Sequence, residues 1–136
     1  MKLLKVHHIL EIHKYGIDNF QGLDGLRDDS FAKVESILAQ QYPSFAVDRY
    51  PGLFEKAAML LYFLAKGHCF PDGNKRVAIM AAIVFLDING YETIFDNDEG
   101  YKITLEVSSS NVLEADRASY IKWLARWLKQ NSRSVC

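Results

Sequence analysis

Residues 53–90 read LFEKAAMLLYFLAKGHCFPDGNKRVAIMAAIVFLDING: two apolar runs separated by a short, densely polar loop. The first run, 53–66, is helical in character, and Gly67 predicts its C-terminal cap. The second is expected to be helical from about 74 to 89, stopping at Asn89-Gly90. Its VAIMAAIVFL segment is apolar on every side, which places that helix at the centre of the domain. The segment is about half the ~20 residues that a membrane-spanning helix needs, so it reads as a buried helix.

Working outward, residues 6–20 set Ile9, Leu10, Ile12, His13 and Ile17 at roughly helical spacing. Gly22, Asp24 and Gly25 break that pattern, and Asp28 or Asp29 is placed to cap a second helix. Over 31–40 the apolar residues Phe31, Val34, Ile37 and Leu38 fall on one face. Residues 42–52, YPSFAVDRYPG, are bounded by Pro43 and Pro51 and predict an exposed extended loop or a small hairpin. Beyond the central helix, 91–95 reads as a short extended piece, and 97–107 and 113–129 as two further helices. The expectation is an all-α fold: a single compact helical bundle around a central buried helix, with a small β-hairpin as the one open addition. At 136 residues the chain suits one domain, 1–136, with one core.

Composition narrows the function classes. Sixteen basic and seventeen acidic residues nearly cancel. Proteins held on nucleic acid through backbone phosphates show a basic excess or a dense basic stripe, so no nucleic-acid partner is expected. The N-terminus MKLLKVHHILEIHK has no small-residue cleavage site and carries His and Glu within its apolar part, so it does not read as a secretory signal. Cys69 and Cys136 show no metal or redox spacing. A cytoplasmic, reduced setting with no membrane partner is expected.

The loop at 68–76 is where chemistry concentrates. His68, Asp72, Asn74, Lys75 and Arg76 crowd a junction between two buried helices, and burying such groups unpaired is costly. The loop runs into the start of the central helix, where free N–H groups and the helix dipole favour an anion. Gly73 lets the backbone approach a ligand closely. Lys75 and Arg76 add two cations, and Arg grips phosphate oxygens with a two-pronged fork. Asp72 is placed to hold a magnesium ion that bridges phosphates. His68 is suited to take a proton from an attacking hydroxyl near neutral pH. These are the parts that phosphoryl or nucleotidyl transfer requires.

The run His68-Cys69-Phe70-Pro71-Asp72-Gly73-Asn74-Lys75-Arg76 resembles the signature of the Fic/Doc family in its Doc branch: His, any, Phe, any, Asp or Asn, Ala or Gly, Asn, Lys, Arg. The resemblance extends more loosely over residues 10–128, through GLDGLRDDS at 22–30 and the NGYE turn after the central helix. It implies an all-helical fold with the motif loop capping a central helix. It implies His68 as general base, Phe70 as the hydrophobic anchor of the loop and Asp72 as the Mg2+ ligand. Gly73, Asn74, Lys75 and Arg76 are then the phosphate ligands of ATP. Lys66, just before Gly67-His68, joins them where the branch carries an arginine. Residues 42–52 stand where the family has a flap that clamps an extended target segment by strand addition.

Typical Fic proteins, which transfer AMP, carry Pro after the His, Gly in place of Lys75 and a second Arg in place of Ile79. Here Cys69, Lys75 and Ile79 point instead to the Doc kinases, in which the γ-phosphate faces the target. The resemblance therefore implies a toxin kinase that phosphorylates a threonine of translation elongation factor Tu and halts translation. It also implies a cognate antitoxin whose tail docks on the toxin's groove. A Fic-type AMP transferase, and a non-catalytic module that binds nucleotide or a partner, are the alternatives.

Other constellations read as structural. His7, His8 and His13 lack the Cys or acidic partners of a metal set. Trp123 and Trp127 are expected to pack on the core, since few basic residues accompany them. Ser110 to Glu114 has the spacing of the Ser-x-x-x-Glu inhibitory motif of many Fic proteins, but Ala115 follows where Gly or Asn is usual. Ser110 is accordingly read as a helix N-cap with an acidic first turn.

Overall fold

In chain order the elements are α1 (Val6–Phe20), α2 (Ser30–Ala39), α3 (Leu53–Lys66), α4 (Asn74–Ile88), β1 (Tyr91–Thr93), α5 (Asn97–Ser109), a 3-10 turn (Glu114–Asp116), α6 (Arg117–Gln130) and β2 (Ser132–Ser134). They come from a computed structural model that describes residues 1–20, 22 and 25–135. The expected helix breaker Asp24 and Cys136 lie outside the described residues. The fold is all-α, as the apolar periodicity predicts.

The two apolar runs become α3 and α4, which share the most extensive helix–helix interface in the molecule. Buried alanines make the close approach possible: Ala57, Ala58 and Ala65 on α3, and Ala78, Ala81 and Ala82 on α4. α3 is the more enclosed, packed also against α2, α5 and α6. α4 has two faces. Val77, Ala78, Ala81, Ala82, Phe85 and Leu86 are buried, whereas Ile79, Met80 and Ile83 line a cavity. A helix apolar on every side thus serves a core on one side and a ligand-sized hollow on the other.

Three boundaries differ from expectation. α6 begins at Arg117 rather than near Leu113, because residues 114–116 close a 3-10 turn. Ser110 is not a helix N-cap. It is the C-cap of α5, its hydroxyl donating 2.7 Å to the Val107 carbonyl. Finally, β2 pairs antiparallel with β1 in the register Tyr91↔Ser134, Glu92↔Arg133 and Thr93↔Ser132. Nothing in the polar SRS of β2 signals a strand, since neither face carries apolar alternation. Phe31, expected on the apolar face of α2, is exposed, and Ser30 is buried in its stead.

Residues 42–52 form a minimal hairpin. Ser44 and Val47 exchange both backbone hydrogen bonds, at 2.8 and 2.9 Å. Phe45 and Ala46 between them have φ of +52° and +63°, the shape of a type I′ turn. Behind the turn, Lys56 of α3 is buried and donates 2.9 Å to the Asp48 carboxylate and also to the Tyr50 carbonyl. That hydrogen bond from the Lys56 ammonium holds the Asp48 carboxyl below its ordinary range. Trp127 packs against the core and lies 5.1 Å from the Phe95 ring, while Trp123 is partly exposed. Among the described residues, no helix is long and apolar enough to cross a membrane.

Candidate active site

The loop between α3 and α4 is built from backbone geometry and then pinned from behind. Gly67 caps α3 with a right-handed φ of −83°, and the left-handed residue is His68, at φ +49°. Histidine is one of the side chains that tolerate this region best. Gly67 is required by space, not by φ: a Cβ there would lie 2.6 Å from the Phe63 carbonyl oxygen. Gly73, with φ +82°, turns the chain into α4.

Side chains then claim the loop's carbonyls in turn. Arg27 donates to those of His68 and Phe70, the latter at 2.9 Å. The buried Ser30 hydroxyl donates 2.5 Å to the carbonyl of Cys69. The side-chain amide of Asn74 accepts 3.0 Å from the Phe70 N–H and donates 2.8 Å to its carbonyl. His13, buried on α1, places Nε2 3.0 Å from the Asp72 carbonyl. Its ring stacks on Phe70 at 4.0 Å and 10°. With these oxygens occupied by donors, the acceptors that would repel an anion are neutralised. Phe70 is fully buried and anchors the loop in the core.

In front of the loop lies a cavity of about 920 Å³, within the size range of small-molecule sites. His68, Asp72, Gly73, Asn74, Lys75 and Arg76 line it together, facing Ile79, Met80 and Ile83 of α4, Tyr15 and Phe20 of α1, and Phe95 and Tyr101 on the far wall. The N-cap of α4 is Gly73, which has no side chain to cap the helix, and the first N–H groups and positive dipole end of α4 face this wall. Lys75 is exposed. The Arg76 guanidinium sits 5.0 Å over the Phe20 ring and donates 3.4 Å to the Gly16 carbonyl. The Asp72 carboxylate accepts 2.8 Å from the Gly73 N–H.

Two expected phosphate ligands stand differently. Asn74 spends its side-chain amide on Phe70, so what it offers the cavity is the backbone N–H of the first residue of α4. Lys66 does not line the cavity and is held at the end of α5. Its ammonium donates 2.6 Å to the Ser110 carbonyl at the C-terminus of α5, where the helix dipole favours a cation. It stands one turn of α3 from Tyr62, its ammonium 5.8 Å from that ring, in a separate shallow pocket with Lys33 and Arg117. Nor does any residue of the 42–52 hairpin line the large cavity.

The loop's holders His13, Arg27 and Ser30 were not identified as functional from the sequence. His13 read as a helix-edge residue, and Arg27 and Ser30 were marked only by their membership in GLDGLRDDS. The far wall from Thr93 to Ser108 carries no motif at all. Cys69 is fully buried, and that burial pushes its thiol up from the ordinary value.

The Fic/DOC family profile matches residues 3–86, from α1 through the loop into α4. The chain is 31% identical over 125 residues to Protein kinase doc of Escherichia phage P1, covering 88% of this chain and 97% of that protein. It is 40% identical over 87 residues to Toxin Doc of Mycolicibacterium smegmatis, covering 62% of each.

Proposed function

This chain belongs to the Fic/DOC family, and we propose that within it the protein is a toxin kinase of Doc type. In this reading it moves the γ-phosphate of ATP to a hydroxyl of a protein target. The observation that carries the reading is that the exposed His68 lines the same cavity as the start of α4 and its two cations, Lys75 and Arg76.

The N–H groups of Asn74, Lys75 and Arg76, with the two cationic side chains, hold the phosphates and spread the charge that develops on them. His68 takes the proton from the target hydroxyl. The oxygen forms a bond to the γ-phosphorus, the bond to the bridging oxygen of the β-phosphate breaks, and ADP leaves. The pinned loop carbonyls keep this geometry rigid, so little reorganisation accompanies the reaction.

The donor set suits magnesium. Among the described residues no three His, Cys, Asp or Glu side chains cluster, and Mg2+ in phosphoryl-transfer sites uses one or two carboxylates plus substrate phosphates. Asp72 would hold it, and bound there it would neutralise phosphate charge. The elongation factor Tu threonine is the target we propose, and a cognate antitoxin the restraint, in keeping with the relatives named a kinase and a toxin.

Supplying a bacterial lysate with ATP labelled at the α or the γ position tests the reaction. Label reaching protein from the γ position alone is expected, and mass spectrometry of the labelled band identifies the target. Label from the α position would establish AMP transfer in its place, and no label from either would favour a non-catalytic module.

A further inference from the structure

One face of α1 runs along the cavity's edge: His13, Gly16, Ile17 and Phe20 recur at helical spacing and all face the motif loop or the start of α4. The first of them holds the Asp72 carbonyl. Two others meet a single side chain, that of Arg76. Gly16 is buried in the middle of a helix, where glycine is destabilising relative to alanine. Its place there has a spatial reason: a Cβ at Gly16 would lie 3.0 Å from Cδ of Arg76. The bare backbone lets the Arg76 stem lie across α1, and the Gly16 carbonyl accepts 3.4 Å from its guanidinium. One helical turn on, the Phe20 ring faces the guanidinium at 5.0 Å. Phe20 is itself 57% exposed, so its ring adds little to the core.

We infer that Gly16 and Phe20 are positioning residues that hold the Arg76 guanidinium at the cavity wall in the orientation that receives phosphate. This rests on the assignment of Arg76 as a phosphate ligand. The physical reason is that a long arginine side chain loses several rotors on binding an anion. A groove in α1 and a ring beneath the guanidinium remove that cost in advance. A planar cation suits the face of a ring, and a lysine there would not use it in the same way.

The full-length protein and its Gly16→Ala, Phe20→Leu, Phe20→Trp and Arg76→Ala variants are to be compared in two measurements: binding of ATP with magnesium, and the Arg76 Nε–H and Cδ–H NMR signals. In the parent the Arg76 signals are expected to carry the ring-current shift of Phe20, whose ring lies 5.0 Å from the guanidinium. Phe20→Leu is expected to abolish that shift and weaken ATP binding roughly threefold, whereas Phe20→Trp retains both. Gly16→Ala is expected to displace the Arg76 signals and weaken binding by about the same factor while leaving the melting temperature equal or higher. A merely structural glycine would not separate stability from binding in that direction. Parent-like Arg76 signals in both Gly16→Ala and Phe20→Leu overturn the inference whatever ATP does. So does unchanged ATP binding in both when Arg76→Ala weakens it. If Arg76→Ala itself binds ATP as the parent does, the phosphate assignment falls, and the placement of Arg76 by α1 stands or falls on the NMR signals alone.

Discussion

At the residue scale, the polar groups around the loop separate into those that line the cavity and those that hold the loop from behind. His68 is exposed, and among the described residues its ring makes no hydrogen bond. His68→Ala is expected to abolish label transfer at a cost of about 1 kcal/mol in stability, because alanine tolerates the left-handed φ of +49° less well than histidine. Labelling and a denaturant titration on the same preparation check this, and retained transfer would remove His68 from the base role. Lys66 and Lys75 look alike in sequence and act at different places. Lys75→Ala should raise the KM for ATP at unchanged stability. Lys66→Ala should leave that KM alone and cost about 0.3–1 kcal/mol through the C-terminus of α5. Parallel kinetic and thermal measurements on the two variants distinguish them, and a raised KM in Lys66→Ala would return that residue to the site.

At the element scale, each feature is held by a neighbouring element. The motif loop is pinned by α1 and by the approach to α2, and the 42–52 hairpin is tied to α3 through Asp48 and Lys56. The latter tie has a pH signature. The folded-state carboxyl of Asp48 titrates lower than in the unfolded chain, so its stabilisation is fully present above the ordinary carboxylate value and disappears as pH falls through the lowered one. Hairpin amides should therefore stay protected against hydrogen exchange down to pH values below the usual carboxylate range. In Asp48→Asn they should exchange faster at neutral pH, because the buried Lys56 ammonium then keeps only the Tyr50 carbonyl and a neutral amide. Equal protection in parent and variant would show that the tie does not order the hairpin.

At the scale of the whole molecule, the site and the core are one construction. Phe70 stands in the core, Cys69 beside it is fully buried, and the loop they belong to lines the cavity. The loop cannot loosen without opening the core. Burial keeps the Cys69 thiol protonated to higher pH than a free thiol. Alkylation of Cys69 is therefore expected to be slow in native protein and to accelerate only with global unfolding by urea. Fast labelling under native conditions would mean that the loop opens on its own.

Helix content, the α3 and α4 boundaries and the motif residues followed from local signals: 3.6-residue periodicity, glycine and asparagine stops, and polar residues packed between two apolar runs. These are properties of neighbouring positions, and the chain carries them without a fold. Pairing of β2 with β1, the diversion of Lys66 to α5 and the hold of His13, Arg27 and Ser30 on the loop depend on segments brought together across dozens of residues. A single hydrogen-bond donor leaves no periodic trace in sequence, and whether it meets a phosphate or a helix end depends on which carbonyls the packing sets within reach. The sequence by itself determined that 68–76 is a densely polar loop leading into a helix start between two apolar helices. Only tertiary packing decided which of its polar groups face the cavity and which hold the loop in place.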